Sequence, residues 1–374
     1  MARLGDVATY INGYAFKPTD WSNEGIPIIR IQDLTGNSYQ ANRYNGKYDP
    51  KYEVNYGDVL ISWSASLGVY VWTGETAVLN QHIFKVQFDK ADVDKDFFVH
   101  QVECILNNAS SEAHGATMKH LTKPIFDALP FYLPKVDEQK KIANELNRVT
   151  SLISIRKQQL SKLDELVKSR FIELFGDSID NPKAFPVRKL KTLSRKISDG
   201  VHAKPQYTET GRPFLSVVNI NKGVINFDGC KFVSEEAYQK MIKSTHPERG
   251  DVLYTKVGAT YGIPAYVDTD TEFCLYVSVC LIKPLHEEIN SRFLSLSMGM
   301  PYVKRQADSR IKGIGVPDLH LNQISEFDIL CPPRDLQEQF IAFVEQVDKS
   351  KSEIQKSLEK LETLKKALMQ KYFG

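Results

Sequence analysis

The sequence predicts a mixed α/β protein in which two globular units are separated by a long antiparallel two-helix coiled coil. Three observations predict this fold class. Strand-like runs alternate with short helical stretches, the second half of the chain repeats the first, and each half ends in a long heptad segment. A repeat whose period is about half the chain indicates a pseudo-twofold arrangement of two similar scaffolds.

Length and composition limit the class of protein. The chain has 374 residues, which at roughly 150 residues per domain predicts two or three domains. The hydrophobic share of 42%, the charged share of 25% and the mean hydropathy of -0.32 exclude both a disordered chain and a membrane-embedded one. The start of the chain lacks the basic and then apolar plan of a signal peptide, so we expect a cytoplasmic protein. Five cysteines without a Cys-x-x-Cys pair indicate free thiols instead of a disulfide framework or a zinc site.

The charge balance disfavours a strongly basic nucleic-acid binder. There are 48 Lys and Arg against 46 Asp and Glu, for a net charge of +2. Residues 1–137 hold 12 basic against 16 acidic residues, a local balance of -4. Any polyanion must therefore be held by local basic clusters or with the help of partner proteins.

The internal repeat predicts the domain boundaries. From Gly115 onward the sequence matches itself at an offset of 198, so that Gln139 recurs as Gln337. Further upstream the offset slips to 193 for Gly57 with Gly250 and to 186 for residues 25 and 211, as insertions in the loops of a shared scaffold would produce. We predict globular units at residues 1–137 and 177–335, followed by helices at residues 138–176 and 336–374.

The two helices carry heptad seams. Apolar residues recur at alternating spacings of four and three, and positively charged residues interrupt both seams. The seam residues are Ile142, Leu146, Val149, Ile153, Leu160 and Leu163 in the first helix, and Phe340, Val344, Val347, Ile354, Leu358 and Leu361 in the second. About 38 residues at 1.5 Å each give a rod of about 57 Å. We expect the two helices to pair antiparallel with one unit at each end; the alternative is two unrelated surface helices.

The globular units read as mixed α/β. Helical stretches are predicted at residues 97–107 and 290–300. Strand-like runs are predicted at residues 26–31, 59–63, 69–72, 83–88, 214–220, 252–255, 274–282 and 327–331.

Catalytic signatures are not convincing in this sequence. No phosphate-binding loop, zinc-protease helix or nucleophile elbow is present. Asp127 with Glu138 and Lys140 has a spacing that metal-dependent phosphodiester cleavage could use. However, Leu336 and Glu338 occupy the matching positions of the second half, so we expect no metal site and no catalysis by this chain.

The order of these features resembles the DNA specificity subunit of type I restriction-modification systems, over essentially the whole chain. In each half, an apolar strand and a proline lead into an Asp-Glu-Gln-type segment and a heptad helix that closes in Phe-Gly. Gly57-Asp58-Val59-Leu60, Asn80-Gln81-His82-Ile83 and the segment at residues 115–121 are further family-like pieces. The second unit departs from the pattern at Leu336 and at Tyr276-Val277-Ser278, which replace Glu138 and Asn80-Gln81-His82.

The resemblance implies two target recognition domains, each reading half of a bipartite site in double-stranded DNA. The helices would set the spacer, at most roughly 17 base pairs for a 57 Å rod at about 3.4 Å per pair. They would also dock two methyltransferase subunits and, through them, restriction subunits. The chain itself would need no cofactor; S-adenosylmethionine would belong to the methyltransferase, and ATP and magnesium to the restriction subunit.

Candidate DNA contacts follow from side-chain chemistry, because Arg, Lys, Asn and Gln match base edges while Lys, Arg and hydroxyl groups contact phosphates. Base-reading candidates are Arg30, Gln32, Asn80, Gln81, Asn219, Asn221, Lys256 and Arg310. Phosphate candidates are Lys17, Ser62, Lys119, Lys123, Lys204, Lys222, Thr255, Lys304, Arg305 and Lys312. Two rival hypotheses stay open at this point: a stand-alone metal-dependent nuclease, and a coiled-coil adaptor with two domains for ligands other than DNA.

Overall fold

The computed structural model describes residues 1–37, 42–64, 66–112, 122–176, 181–221, 223–311 and 315–374, without the side chains of residues 110–112 and 221. The chain divides into two compact units. Unit 1 comprises Met1–Gln158 and Gln355–Gly374, and unit 2 comprises Gln159–Ile354. The units do not end at the predicted helix boundaries, because each of them takes in part of both long helices.

The strands of the first half form two four-stranded sheets and one short pair. They are β1 (Ala2–Arg3), β2 (Thr9–Asn12), β3 (Ile26–Ile29), β4 (Arg43–Tyr44), β5 (Glu53–Val54), β6 (Val59–Ser62), β7 (Gly68–Val71), β8 (Ala77–Leu79), β9 (Ile83–Gln87) and β10 (Pro130–Phe131). One sheet has the order β2-β9-β6-β7 and is antiparallel throughout. The other has the order β4-β3-β8-β5, with β3 and β8 parallel.

Helices cover the sheets and lead to the long helix. They are α1 (Leu4–Val7), α2 (Ile31–Leu34), α3 (Lys95–Glu112), α4 (Lys123–Asp127) and α5 (Val136–Phe175). All four residues of β6 are buried, and so are all three of β8, as expected for strands at the centre of a core.

The second half repeats this plan. Its strands are β11 (Val187–Lys189), β12 (Ser194–Asp199), β13 (Arg212–Leu215), β14 (Ile220–Asn221), β15 (Val224–Ile225), β16 (Lys231–Val233), β17 (Val252–Thr255), β18 (Pro264–Tyr266), β19 (Cys274–Leu275), β20 (Val279–Pro284) and β21 (Asp328–Leu330). The sheet β12-β20-β17-β18 corresponds to β2-β9-β6-β7, and the sheet β16-β13-β19 to β4-β3-β8. Its helices are α6 (Glu235–Met241), α7 (Ser291–Met298), α8 (Pro301–Arg310), α9 (Leu321–Ser325) and α10 (Arg334–Phe373).

Three strand predictions ran into another element or across a break. The run at 26–31 stops at Ile29, because the short helix α2 begins at Ile31. The run at 214–220 stops at Leu215 and turns into the 3-10 helix Val217–Asn219. The run at 274–282 is two strands, since the chain leaves the ladder at residues 276–278.

A buried glutamine attaches the start of each long helix to its globular unit. Gln139 accepts a hydrogen bond from the Asp94 backbone N–H (2.8 Å), and Gln337 accepts one from the Asn290 N–H (2.9 Å). Asp94 and Asn290 in turn cap the first turns of α3 and α7. Each glutamine also donates to the carbonyl of the residue five positions before it, at 2.8 Å. The repeated glutamine of the sequence motif is therefore a structural tie.

Inside unit 1, the end of α10 lies antiparallel to the start of α5. The Tyr372 hydroxyl donates to Glu145 at 2.5 Å, whereas Lys157 pairs with Glu362 at 3.0 Å, so one residue number rises while the other falls. In addition, Lys365, which interrupts the predicted seam, binds both carboxylate oxygens of Glu103 on α3 at 2.9 Å.

Inside unit 2, the end of α5 lies antiparallel to the start of α10. Lys351, another seam interruption, pairs with Asp164, and Phe171 packs against Phe340 with ring centroids 5.5 Å apart. The predicted seam side chains are buried or half-buried in both helices.

Candidate functional site

Three segments of unit 1 meet where β2, β6 and β8 end. The Tyr14 N–H donates to the Leu79 carbonyl (2.8 Å), the Gln81 N–H to the Tyr14 carbonyl (2.8 Å), and the Trp63 N–H to the His82 carbonyl (3.2 Å). Residues 12–17, 63 and 80–82 together form what we call the strand-end surface of unit 1. It is held together by backbone hydrogen bonds, which leave the side chains free to vary.

Polar and aromatic side chains occupy this surface. The Trp63 indole N–H donates to Asn12 Oδ1 (3.2 Å), and its ring lies edge-on to His82 at 4.9 Å. His82 adopts φ +73°, and its buried Nδ1 finds no hydrogen-bond partner among the described residues. Strain and an unsatisfied polar atom of this kind concentrate at functional sites. The base-reading candidates Asn80 and Gln81 are half-buried beside it.

The same backbone arrangement recurs in unit 2. The Val201 N–H donates to the Leu275 carbonyl (2.8 Å), the Val277 N–H to the Val201 carbonyl (3.0 Å), and the Lys256 N–H to the Ser278 carbonyl (3.0 Å). Residues 199–204, 256 and 276–278 form the strand-end surface of unit 2. Both surfaces thus share one scaffold.

A glycine is required at the same point of each scaffold. A Cβ on Gly13 would lie 2.0 Å from the Asn80 carbonyl oxygen, and a Cβ on Gly200 would lie 2.2 Å from the Leu275 carbonyl oxygen. Because both neighbours are backbone atoms, no side chain fits at either position.

The side chains of the two surfaces differ in kind. Where unit 1 pairs Trp63 with Asn12, unit 2 pairs Lys256 with Asp199, with Nζ 3.6 Å from the carboxylate. Lys256 is buried and also lies 3.5 Å from Asp318, so two carboxylates balance its charge. Burial raises the pKa of Asp199, and the nearby Lys256 opposes that rise.

A lysine occurs at the same position of both surfaces. Lys17 and Lys204 follow Gly13 and Gly200 by four residues, each precedes a proline, and both are exposed. Exposed cations at equivalent places on both scaffolds suit phosphates, which are the same for every DNA sequence.

In several candidates, the polar group that was predicted to contact DNA instead forms a hydrogen bond within the protein. Ser62 and Thr255 are fully buried at equivalent strand ends, where their hydroxyls donate to the carbonyls of Ser66 and Thr260 in the following loops. Asn219 is buried and accepts from the Ser216 N–H at 3.0 Å.

The two arginine candidates are also engaged. Arg30 lies 3.8 Å from Asp33 and over the Trp21 ring at 5.7 Å. Arg310 donates to the Gln306 carbonyl at 2.8 Å and stacks on Phe327. Their contacts with DNA stay predictions.

The remaining candidates lie away from the strand-end surfaces or outside the described residues. Gln32 is half-buried in α2, Lys123 pairs with Asp127, Lys304 pairs with Asp308 over the Tyr261 ring, and Arg305 is exposed on α8. Asn221 is described only by its backbone in β14. Lys119, Lys222 and Lys312 lie outside the described residues, as does the motif at residues 115–121.

Sequence reasoning missed Asn12, Trp63, His82 and Asp199 as site residues. The missing signal was a fourth offset of the repeat, 187, which aligns Gly13, Lys17 and Pro18 with Gly200, Lys204 and Pro205. That alignment would have shown which loops of the two units correspond.

The nuclease trio does not form a metal centre in the described part of the chain. Asp127 pairs with Lys123, and Glu138 accepts from the Tyr132 hydroxyl at 3.2 Å. Among the described residues, no three His, Cys, Asp or Glu side chains are grouped to hold a metal ion. The five cysteines are free thiols, buried or half-buried. Within the same ranges, no helix has the length and apolar character needed to cross a membrane.

Comparisons with known proteins identify the family. The family described as "Type I restriction modification DNA specificity domain" matches residues 1–165 and 186–366. The chain therefore belongs to this family, and both halves carry the domain.

Among curated relatives, the type I restriction enzyme EcoBI specificity subunit of Escherichia coli is 23% identical, with 99% of this chain and 84% of that protein covered. The MjaVIII specificity subunit of Methanocaldococcus jannaschii is 23% identical, with 99% and 90% covered. Neither the nuclease nor the adaptor hypothesis finds support in these matches.

Solved structures show the same fold. The S subunit of the type I restriction-modification system from M. genitalium has a TM-score of 0.51 at 16% identity, covering 100% of this chain and 95% of that one. A chain from a structure concerning complex assembly and conformational transition of the type I R-M system has a TM-score of 0.54 at 16% identity, covering 100% and 96%.

Proposed function

We propose that this chain is the DNA-reading subunit of a type I restriction-modification complex, and that each globular unit reads one half of a bipartite site in the major groove. The observation that carries the proposal is the pair of strand-end surfaces. They have the same backbone hydrogen bonds but present Asn12, Trp63 and Gln81 in unit 1 against Asp199, Lys256 and Val277 in unit 2. Two domains that share a scaffold but recognise different DNA sequences need the same backbone hydrogen bonds and different side chains.

The distribution of charge on the surfaces fits this division of roles. Phosphate contacts position a protein on DNA, whereas groove contacts carry the sequence information. Lys17 and Lys204 are repeated and exposed, as phosphate contacts should be. The half-buried amide of Gln81 matches an adenine edge, and it has no amide counterpart in unit 2.

We further propose that α5 and α10 form one antiparallel coiled coil that separates two target recognition domains and sets the spacer between half-sites. The antiparallel contacts inside each unit support this proposal, since Tyr372 pairs with Glu145 in unit 1 and Lys351 pairs with Asp164 in unit 2. Inserting two heptads into both helices should lengthen the tolerated spacer and leave the half-sites unchanged.

The helices also offer a repeated docking position for two methyltransferase subunits. Leu166 and Leu364 occupy matching positions at the offset of 198, and each is 46% exposed. A single exposed leucine needs no explanation by itself, so the proposal rests on the recurrence of this leucine at equivalent positions of the two helices. A matching leucine on each helix suits two copies of one partner, through which restriction subunits would join; the chain itself would perform no catalytic step.

The docking proposal is tested by the stoichiometry of the purified complex. Leu364→Glu should remove one methyltransferase copy and Leu166→Glu the other, as measured by native mass spectrometry. Lys168→Glu, on the exposed surface of α5, is the control for added charge. Full assembly by the double leucine variant would refute this docking position.

Mapping modified positions in DNA tests the reading function. Cells that express this chain with its methyltransferase should carry methylation at one bipartite sequence, and cells without the chain should lack it. Gln81→Ala should relax one position of one half-site, because a good bidentate base contact contributes about 1–3 kcal/mol of discrimination. Gln87→Ala, at the opposite end of β9, is the matched control and should leave the recognised sequence unchanged. A half-site that keeps its full sequence in Gln81→Ala would argue against base reading by this surface.

A further inference from the structure

Unit 1 contains a cavity of about 570 Å³ beside the end of α10. Its wall includes Ile105 on α3, Tyr132 after β10, Ile142 on α5 and Phe373 on α10. The size is in the range of sites that bind ligands, and the lining mixes apolar side chains with polar ones such as Gln101 and Glu138. None of the lining residues belongs to the strand-end surface, so DNA reading does not account for the cavity.

The second unit shows what occupies the equivalent place. Phe175, at the end of α5, is fully buried, and the Phe185 ring lies 6.3 Å from it. The Asn181 side chain holds this loop, since it accepts from the Phe185 N–H (3.0 Å) and donates to the Phe185 carbonyl (2.8 Å). The Pro186 carbonyl then accepts from the Cys331 N–H at 2.8 Å. Residues 181–186 therefore form a loop seated on the helix end.

The end of α10 in unit 1 and the end of α5 in unit 2 make equivalent contacts. The Phe373 ring packs against Phe97 on α3 at 5.5 Å, as Phe175 packs against Phe293 on α7 at 5.2 Å. The strand pair β1–β10 borders the first place and β11–β21 the second. The helix end beside the cavity is thus the unit 1 counterpart of the helix end on which residues 181–186 lie in unit 2.

The side chains around the cavity in unit 1 are more exposed than their counterparts in unit 2. Phe373 and Tyr132 are half-buried, while their counterparts Phe175 and Leu330 are fully buried. Leu133, which follows Tyr132 of the wall and matches Cys331 at the offset of 198, is 36% exposed. An occupant can therefore gain apolar burial there.

We propose that this cavity binds an extended segment of a partner protein in which an aromatic residue is followed by proline, as Phe185-Pro186 binds in unit 2. The aromatic ring would cover Phe373, and the proline carbonyl would accept from the Leu133 N–H. The site would thus hold a protein partner on unit 1 independently of DNA.

The chain's own loop supplies a probe. A fluorescein-labelled peptide of residues 181–187 is titrated with the full chain, and its fluorescence polarisation is measured. We expect saturable binding that is weakened about tenfold or more when the peptide carries Phe185→Ala, because a buried aromatic anchor dominates contacts of this type. A peptide that does not bind, or that binds equally well without the phenylalanine, would overturn the proposal.

Variants of the full chain locate the binding site. Ala109 lines the cavity, so Ala109→Trp should fill it and remove binding, whereas Ala342→Trp on the exposed face of α10 in unit 2 should not. Circular dichroism establishes that both variants fold.

A peptide with benzoylphenylalanine at position 185 gives a second measurement that needs no variant of the chain. Its photo-crosslinks should fall at residues 101–109, 129–142 or 371–374. Crosslinks confined to unit 2, or full binding by a folded Ala109→Trp chain, would overturn the proposal.

Discussion

At the scale of single residues, Gln139 and Gln337 show what a repeated polar motif does. Both are buried, with exposures of 0% and 2%, and each joins three backbone segments through its amide. The sequence repeat identified these positions but not their role. From sequence alone, a glutamine at the start of a helix is expected to be exposed to solvent. Its actual partner is a backbone N–H 45 or 47 residues earlier in the chain, which no local pattern indicates.

Replacing Gln337 should therefore destabilise unit 2. Gln337→Met keeps the side-chain volume but leaves the Asn290 N–H and the Pro332 carbonyl without partners. At about 1–3 kcal/mol for each of these two buried groups, we expect a loss of about 2–6 kcal/mol in the free energy of unfolding. Urea unfolding measures this loss, and Gln346→Met on the exposed face of α10 is the control. A loss no larger than that of the control would show that water replaces the amide.

The shared lysines should contribute affinity without sequence preference. Lys17→Ala and Lys204→Ala should each weaken binding of the assembled complex to specific and unrelated DNA alike. Each should also lower the slope of log K against log salt concentration by about 1, because one phosphate contact is lost. Binding titrations at several salt concentrations provide the measurement. A loss confined to one DNA sequence would place the lysine at a base instead of a phosphate.

Base-reading residues were harder to predict than framework residues, for a physical reason. Lys256 has the ammonium group of a guanine reader, yet that group is buried between Asp199 and Asp318. Residue type reveals what a side chain could bind, but burial and internal partners decide whether it is available. Those partners are 57 and 62 residues distant in the chain, beyond any local pattern.

At the scale of elements, the heptad pattern predicted the long helices because one periodic feature extends over eleven turns. Helices were predicted at 138–176 and 336–374, and the structure has them at Val136–Phe175 and Arg334–Phe373. Short strands were predicted less well. The run at 274–282 is apolar apart from Ser278, and the break is visible only in the backbone hydrogen bonds of Tyr276 to Leu215 at the end of β13 and of Val277 to Val201.

The lysine that interrupts the seam of α10 should hold the end of that helix in a pH-dependent way. The His100 ring, with Nδ1 3.9 Å from the carboxylate, and the ion pair with Lys365 keep the pKa of Glu103 below its usual value against the effect of burial. A carboxyl group whose pKa is lowered in the folded state stabilises the fold at pH values above the ordinary pKa of glutamate. This stabilisation is lost as the pH falls through the folded-state pKa. Lys365→Met should therefore destabilise unit 1 at pH 7, and the loss should shrink in acid.

The exposed neighbour Lys366 provides the control for this prediction. Urea unfolding of Lys365→Met and Lys366→Met at pH 7 and near pH 4 gives the comparison. Equal stability of the two variants at pH 7 would mean that the Glu103 ion pair contributes nothing measurable.

At the scale of the whole molecule, the distribution of charge indicates that sequence recognition and DNA affinity have different sources. Residues 1–137 have 12 basic against 16 acidic residues, although counterion release by phosphate contacts supplies most sequence-independent DNA affinity. We therefore expect partner subunits to supply much of the affinity for DNA.

We accordingly expect this chain alone to bind its specific DNA far more weakly than the assembled complex does at the same salt concentration. Electrophoretic shift titrations of both, at 50 mM and 200 mM salt, make the comparison. The complex should also show the steeper salt dependence, because the additional phosphate contacts come from the methyltransferase subunits. Equal affinities would mean that the local basic residues suffice.

The backbone construction of the strand-end surfaces has a consequence for how such proteins diversify. Because main-chain hydrogen bonds and one obligatory glycine hold each surface, the side chains of residues 81 and 277 are not needed to maintain it. Stability and target choice thus rest on different atoms of the same segments. A lineage can exchange one recognised sequence for another by side-chain replacement alone, while the fold that presents those side chains stays under separate selection.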